Sequence, residues 1–416
     1  MDDDAALPRP AADHAAGPAV AIPRGPLIAN LLAQLAFGLL AMTICLPSMQ
    51  QWGAIFGASQ ANVQLTFSAY VVSYGGLQLV YGPLSDQFGR KKILIAGLLL
   101  AGIGSLLAAA APDLTTLTLA RLVQGAGSAA GMVVGRAMVQ DLFVGPERTR
   151  VMAYMGMVLG LCPPLATIVG GQLHVRFGWQ ANFLLMAVLA ALLLVAAWRG
   201  LPAHQRSPQQ DRRWLAAMAA SYARLAHEPA FLLYVVIAGM TTATFYVFLA
   251  GAPVVLGGFG VGPESIGYYI MVVPLSYIVG NFLTSRLIQR RSDSLLMGVG
   301  QALTIAGIAL MTALAMVGID SPLAFALPLT LLGLGHGILV PPVLVGTVSL
   351  LPALAGSAAA VAGLMQQLTG ALGGFAVGLV DHDDATNLGL LMLGCAGLAT
   401  VALVLLGLLR SAANRA

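Results

Sequence analysis

Twelve long apolar runs follow one another along most of the chain. Each has about 20 residues, the length that an α-helix needs to cross the hydrocarbon core of a membrane. The runs are continuously apolar rather than alternating, so they predict membrane-spanning helices and not the strands of a barrel. They lie near 27–48, 62–82, 93–111, 115–137, 151–173, 181–198, 230–250, 265–287, 295–318, 323–344, 354–380 and 388–410.

The scarcity of charge supports the same interpretation. Only 9% of the 416 residues are charged and 58% are hydrophobic, whereas soluble domains carry about 25% charged residues. So little charge cannot cover the surface of a soluble globule of this size, and lipid must contact much of it. Three cysteines, Cys45, Cys162 and Cys395, lie inside apolar runs, where we interpret them as small hydrophobic residues without a metal or disulfide role.

Basic residues indicate how the runs are oriented. All but two of the 20 Lys and Arg residues fall in the tails or in connections on one side, and the exceptions are Arg121 and Arg176. The positive-inside rule then places both termini in the cytoplasm, in agreement with an even number of spans. The net charge of +4 does not indicate a nucleic-acid partner, because the cations lie at the membrane edges.

The longest internal connection divides the chain into two equal sets of spans. We predict an all-α membrane protein with twelve transmembrane helices in two six-helix bundles, 25–198 and 230–410. A cytoplasmic linker at 199–229 joins them, with an amphipathic piece near 212–225 along the membrane surface. Residues 1–24 are expected to be a disordered cytoplasmic tail and 411–416 a short C-terminal tail. A weak repeat agrees, since Gly82 and Gly280 each precede a group of cations.

A charged turn at 82–92, GPLSDQFGRKK, follows the second run. Gly82 and Gly89 permit tight turns, Asp86 can accept hydrogen bonds, and Arg90 and Lys91 can face lipid headgroups. The spacing resembles the signature after the second helix of major facilitator superfamily transporters. The wider text, from Gln64 to Asp86, resembles the Bcr/CflA drug-resistance branch. The resemblance implies a gate that contacts the other bundle when the protein faces outward and releases it when the protein faces inward.

Arg121 lies within the fourth run, where an arginine is costly and indicates a function. With Gln124 and Gly125 it resembles the R-x-x-Q-G signature of the family's fourth helix, and Arg136 with Asp141 resembles the R-x-x-x-x-D that closes that helix. The alternative is that Arg121 snorkels to the outer end of the span.

The fifth run carries small residues at helical spacing and a pair of prolines. It resembles the antiporter motif of superfamily exporters, although Thr167 stands where the branch usually has a second proline. Close helix packing and a bend at the prolines are expected; ordinary packing of Gly and Pro is the alternative. The motif residues are Gly156, Gly160, Pro163, Pro164, Gly170 and Gly171.

The first run departs from the branch. Thr43 occupies the place of the usual acidic residue, and no Asp or Glu lies at mid-membrane. His336, deep in the tenth run, is the proton-coupling candidate, because imidazole exchanges protons near neutral pH; a neutral polar residue between glycines is the alternative. The Asp381–Asp384 cluster is expected in a solvated outer loop.

The resemblance implies a substrate cavity lined by helices 1, 4, 7 and 10. The candidate lining residues are Asn30, Gln34, Thr43, Arg121, Thr244, Tyr246, His336 and Gln367, with Thr241, Phe245, Gln366 and Asn281 as further contributors. A mostly apolar pocket with a few polar anchors suits a small organic molecule. Arg121 without a matching acid favours neutral, zwitterionic or anionic cargo over lipophilic cations.

These features together predict a secondary transporter of the bacterial inner membrane that exports a small organic molecule, with proton antiport as the inherited expectation. A dedicated exporter of an endogenous metabolite such as a siderophore, with unusual or no proton coupling, is the alternative. A polytopic membrane enzyme would need clustered His, Asp or Glu at a membrane face. The expected partners are the substrate, the proton and the lipid bilayer. No cofactor or metal is expected, and the chain is expected to act as a monomer.

Overall fold

The computed structural model describes residues 24–202, 221–287, 290–351, 354–380 and 385–413, and these residues form helices and no strands. We number the helices in chain order. They are α1 (Arg24–Thr43), α2 (Leu46–Phe56), α3 (Gln60–Phe88), α4 (Arg90–Ala109), α5 (Leu114–Leu142), α6 (Gly145–Phe177), α7 (Gln180–Gly200), α8 (Pro229–Gly258), α9 (Pro263–Ile270), α10 (Val272–Leu287), α11 (Asp293–Met316), α12 (Pro322–Ala326), α13 (Leu329–Ser349), α14 (Ala355–Val377) and α15 (Thr386–Ala413).

Several helices begin at residues that satisfy their free N–H groups. Ser59 accepts a hydrogen bond from Asn62 N at the start of α3, and Asp113 accepts one from Thr116 N at the start of α5. Such side-chain caps are the usual way to start a helix. Between α1 and α2 the helix is interrupted just before Pro47, which has no N–H to donate to the preceding turn.

Eleven segments within the described residues are long and apolar enough to cross a membrane, and they coincide with eleven of the twelve predicted runs. Large apolar side chains such as Leu119, Leu192 and Leu398 are exposed on them, as expected for lipid-facing surfaces. The remaining run corresponds to α3, which is 29 residues long but buries polar side chains, including Gln64 and Ser68. The count of twelve and the side of the termini therefore stay predictions.

Helices α1–α7, the first half, pack mainly against one another, and α8–α15, the second half, do the same. Matching glycine pairs occur in both. A Cβ at Gly127 of α5 would overlap the carbonyl oxygen of Gly97 in α4, and a Cβ at Gly335 of α13 would overlap that of Gly300 in α11. Small residues let helix backbones approach this closely. The third and fourth segments of each half thus cross in the same way, in agreement with the repeat.

We call the end of the molecule that carries Arg90 and its neighbours the basic end. The two halves meet at the opposite end. Among the described residues, every hydrogen bond between the halves lies towards the opposite end, and each runs from a first-half side chain to a second-half carbonyl oxygen. These closing hydrogen bonds are Gln50 to Val261 (3.3 Å), Gln64 to Ala250 (3.1 Å), Ser68 to Ala371 (2.8 Å) and Gln172 to Glu264 (3.3 Å).

The predicted connections and tails are only partly covered. Residues 1–23, most of the linker (203–220), the 381–384 cluster and 414–416 lie outside the described residues. Within the linker, Leu225 is buried against Phe231 and Ala362 of the second half, and residues 212–220 of the predicted amphipathic piece lie outside the described residues. Helix α15 continues to Ala413, past the predicted start of the C-terminal tail at 411. The domain boundaries stay a prediction.

Candidate functional site

A cavity of about 610 Å³ lies between the halves, at mid-length of the helices that line it. That size is in the range of drug-binding pockets. The first half contributes residues from α1 and α6, and the second half contributes residues from α8, α10, α13 and α14. The lining residues are Leu39, Met42, Gly156, Met157, Gly160, Pro163, Thr241, Thr242, Phe245, Tyr246, Val273, Pro274, Tyr277, Ile278, Asn281, Phe282, Gly333, His336, Val340 and Gln366.

The two walls of this cavity differ in chemistry. Every residue from the first half is apolar or glycine, whereas the second half supplies hydroxyl, amide and imidazole groups. The two amides of this wall are each held by a hydrogen bond. Gln366 Nε2 donates to Thr242 Oγ1 (3.2 Å), and Asn281 Nδ2 donates to Tyr277 O (3.0 Å). No Asp, Glu, Lys or Arg of the described residues lines the cavity.

His336 is the titratable imidazole of the polar wall. It is 4% exposed, and its Nε2 has no hydrogen-bond partner among the described residues. The glycines on either side explain its depth, because a Cβ at Gly335 would overlap Gly300 of α11 and a Cβ at Gly337 would overlap Tyr277 O of α10. Helix α13 is therefore held between two neighbours, and His336 is fixed at the cavity.

Of the predicted cavity residues, Tyr246 and His336 line the cavity, and Gln367 lies behind Tyr246, whose hydroxyl donates to Gln367 Oε1 (3.1 Å). The others lie in helix contacts instead. Asn30 and Gln34 bond α7 at Ala196 O and Leu193 O. The hydroxyls of Thr43 and Thr244 donate hydrogen bonds to carbonyl oxygens one turn earlier in their own helices, Leu39 O and Met240 O.

Arg121 occupies a different place from either sequence-based interpretation. It is fully buried and neither lines the cavity nor reaches the end of the span. Its guanidinium donates to Ala41 O (2.7 Å) and Met42 O (3.3 Å), at the interruption between α1 and α2. That interruption leaves carbonyl groups without their usual N–H partners, and Arg121 supplies the donors.

The surroundings of Arg121 stabilise its charge without a carboxylate. The guanidinium lies 4.2 Å from the ring centroid of Tyr70, a cation–π contact. It also donates to Gln124 Oε1 (2.6 Å), and Gln124 Nε2 donates onward to Ser105 Oγ (2.9 Å). Gly125, the next residue of the motif, packs directly against Tyr70 O. The R-x-x-Q-G residues thus join α1, α3, α4 and α5 into one unit.

The charged turn forms an ion-pair cluster inside the first half. Arg90 pairs with Asp86 (2.5 Å) and with Asp141 at the end of α5 (3.1 Å), and Lys91 donates to Leu201 O (2.8 Å). Gly89 sits at φ +97°, which favours glycine. None of these contacts reaches the second half, so the turn ties the ends of α3, α4, α5 and α7 together. Gly82 lies beside Val133 of α5.

The glycines and prolines of the fifth-span motif divide into two groups. Gly156, Gly160 and Pro163 line the cavity, and α6 runs as one continuous helix through Pro163 and Pro164. Further along, a Cβ at Gly170 would overlap Ile44 O at the α1–α2 interruption, and a Cβ at Gly171 would overlap Pro263 O of the second half. The Gly-Gly pair therefore permits close approach to both halves.

Tyr277 is a lining residue that the sequence interpretation missed. It lies four residues before Asn281, and side chains at that spacing share one face of a helix. The spacing was a usable signal once Asn281 had been chosen. Thr242 was also missed, because only the packing of α8 shows that Thr241, Thr242 and Tyr246 reach the cavity while Thr244 does not.

Comparison with known proteins identifies the family. The profile of the Major Facilitator Superfamily matches residues 27–374. Multidrug resistance protein D of Escherichia coli K12 is 27% identical over 88% of this chain and 92% of its own. A bicyclomycin resistance protein homologue of Haemophilus influenzae is 29% identical over 59% of this chain and 62% of its own. The predicted resemblance to the Bcr/CflA branch is confirmed by these relatives.

A solved structure confirms the fold independently. A bacterial homologue of the human lysosomal transporter Spinster, in an inward-facing and unoccupied conformation, superposes with a TM-score of 0.74 at 15% identity. The match covers 92% of this chain and 96% of that one. A central cavity between two helical halves, the shared fold and the matched profile agree, and the chain belongs to the major facilitator superfamily as a multi-pass membrane transporter, not an enzyme.

Proposed function

We propose that this transporter exports small organic molecules, of the drug-efflux type, from the cytoplasm across the bacterial inner membrane by alternating access. The observation that carries the proposal is the cavity between the halves, which has drug-sized volume and lies on the basic-end side of the closing hydrogen bonds. The names of the relatives, which refer to multidrug and bicyclomycin resistance, support the class of cargo.

The distribution of contacts supports alternating access. The positive-inside rule assigns the basic end to the cytoplasm. Hydrogen bonds therefore join the halves on the outer side, and none among the described residues joins them on the inner side. Each closing hydrogen bond contributes about 0.5–1.5 kcal/mol net. Breaking them as a set costs a few kcal/mol, which is the scale that separates two populated conformations. In the opposite state the Asp86–Arg90 turn would contact the second half instead.

We propose the proton as the counter-ion and His336 as its carrier. No carboxylate of the described residues lines the cavity, and the His336 imidazole is a group of its lining that can accept a proton. Its side chain lines the cavity, so a proton on the imidazole and a cargo molecule compete for the same place. Occupation by one disfavours the other, which is the requirement for exchange.

Transport into inverted membrane vesicles tests both parts of the proposal. Vesicles with an imposed pH gradient, acidic inside, should accumulate members of a panel of neutral and cationic drugs, and vesicles lacking the protein should not. Collapse of the gradient should abolish accumulation, and His336→Gln should lower its dependence on the gradient. Absence of accumulation for the whole panel contradicts export. Accumulation that persists after collapse contradicts proton coupling alone.

A further inference from the structure

The cavity presents no charge to its occupant. Its described lining contains no acidic or basic side chain other than the His336 imidazole. Arg121, the buried arginine of α5, already donates to Ala41 O, Met42 O and Gln124 Oε1 within the first half. A cation or an anion entering the cavity would lose hydration without gaining an opposite charge, which is costly.

The first-half wall can contact only apolar surface. Leu39, Met42, Met157 and Pro163 supply side chains without strong hydrogen-bonding groups, and Gly156 and Gly160 supply none. Gly160 also lies close to Ile278 of the second half, which narrows the cavity there. A polar group of the cargo placed against this wall would be desolvated without a partner, so the wall selects an aliphatic or aromatic face.

The second-half wall offers hydrogen-bond acceptors at fixed positions. The amide nitrogens of Gln366 and Asn281 are committed to Thr242 Oγ1 and Tyr277 O, and the amide oxygens make no hydrogen bond within the described residues. His336 Nε2 is likewise unpartnered there, on a side chain that is 96% buried. The two amide oxygens leave open positions for the O–H and N–H donors of a bound molecule, and His336 lies in the same wall.

We infer that the cargo is an uncharged amphipathic molecule, with hydroxyl or amide donors along one edge and an apolar face along the other. The donors bind the second half at Asn281 and Gln366, beside His336, and the apolar face packs against the first half. This inference rests on the proposed function and names the class of cargo for its cavity. The polar anchors all belong to one half, so the second half carries recognition while the first half closes over the molecule.

Aromatic rings provide the main competing possibility. Phe245, Tyr246, Tyr277 and Phe282 line the cavity, and stacked rings can hold a cation by cation–π attraction. The test therefore includes a lipophilic cation beside an uncharged probe. Chloramphenicol is a suitable uncharged probe, because it has an aromatic ring at one end and two hydroxyls and an amide at the other. Its 3-O-acetyl form removes one hydroxyl donor.

Equilibrium binding to the purified full chain distinguishes these possibilities. Radiolabelled chloramphenicol should bind saturably, the 3-O-acetyl form should compete about tenfold more weakly, as expected for one lost hydrogen bond, and tetraphenylphosphonium should not compete. Asn281→Leu and Gln366→Leu should each weaken chloramphenicol binding by about tenfold. Gly397→Ala is the control, since a Cβ there meets nothing within 4 Å. Gel filtration and unfolding temperature without ligand establish that the variants are folded.

The inference is overturned if tetraphenylphosphonium competes as well as the uncharged probe, if chloramphenicol does not bind, or if its affinity is unchanged in both folded leucine variants. Binding by the purified protein is independent of vesicle transport. Cationic members of the drug panel exported while chloramphenicol fails to bind would contradict this inference and leave the export function standing. Specific binding of chloramphenicol without export of any drug would support this inference and contradict the export function.

Discussion

Gln64 Nε2 of α3 donates a hydrogen bond to Ala250 O of α8, over 3.1 Å and across the boundary between the two halves. Gln64 is fully buried, and its Oε1 has no partner among the described residues. A buried amide held by a single bond to the other half is well suited to a contact that must form and break. The relationship explains why α3 is more polar than the other spans, since it lies at the boundary.

We expect Gln64→Leu to shift the protein towards the state that is open at the end opposite the basic end. Loss of one closing hydrogen bond is worth about 0.5–1.5 kcal/mol, or about a two- to tenfold change in the ratio of the two states. Spin labels at the exposed positions Phe177 and Val317, one in each half at that end, would report the change as a larger population of long distances.

Gln301→Leu is the matched control for this prediction. Gln301 is also a buried glutamine that donates to a carbonyl oxygen, Ala396 O (2.7 Å), but both residues belong to the second half. The control should lower the unfolding temperature without altering the distance distribution. Equal distributions for Gln64→Leu and the unmodified protein would argue against a role of α3 in closing this end.

Asp86→Asn should impair transport several-fold while leaving the protein in the membrane. Asp86 is partly exposed, and a solvated ion pair of this kind contributes only about 0–1 kcal/mol to stability, so folding should be preserved. The described contacts of the Asp86–Arg90–Asp141 cluster all lie within the first half, as expected when the gate is released. Export assayed in vesicles, with the amount of protein measured by blot, checks the prediction.

Glu147→Gln is the comparison for the gate. It breaks the Arg24–Glu147 pair (2.8 Å) at the same end of the same half, outside the signature. If Asp86→Asn transports at the rate of Glu147→Gln and of the unmodified protein, the gate hypothesis is untenable. Equal impairment of both variants would indicate a general effect of charge at this end.

The sequence predicts the spans well and the site less well, for a physical reason. A run of about 20 apolar residues is stable in a bilayer as a membrane-spanning helix, and so α4, α7 and α15 can be predicted from the sequence alone. Which face of a span meets the cavity depends on its neighbours. Thr244 and Tyr246 are two residues apart on α8, yet only Tyr246 reaches the cavity wall.

Arg121 illustrates the same limit. Its position in the fourth span indicates a special role, but its partners are carbonyl groups at the interruption of α1, about 80 residues earlier in the chain. Pro47 marks that interruption in the sequence, whereas the pairing of the interruption with Arg121 comes only from the packing of α1 against α5. The sequence offers no carboxylate to pair with Arg121, but backbone carbonyl oxygens bind its guanidinium in the folded protein.

We expect Arg121→Ala to destabilise the protein by about 3 kcal/mol, because it removes three hydrogen bonds and leaves buried carbonyl oxygens and Gln124 Oε1 without the guanidinium donor. Arg121→Lys should retain only part of the stability, since a single ammonium cannot span the same partners as the planar guanidinium. Thermal unfolding of the purified variants measures both. Normal unfolding temperatures together with lost transport would mean that Arg121 handles the cargo or the proton instead of holding the α1–α2 interruption.

Gly171→Ala should open the boundary between the halves at the end opposite the basic end. A methyl group at this position overlaps Pro263 O, and backbone on both sides leaves it no flexible side chain to displace. Helices α6 and α9 must separate, which weakens the nearby bond from Gln172 Nε2 to Glu264 O. The labels at Phe177 and Val317 should show more of the long-distance population than the unmodified protein, and transport should slow because one state is disfavoured. Gly397→Ala adds the same methyl group where nothing lies within 4 Å, so it should change neither measurement. A Gly171→Ala protein that matches this control would show that close approach at the Gly-Gly pair does not hold the two halves together.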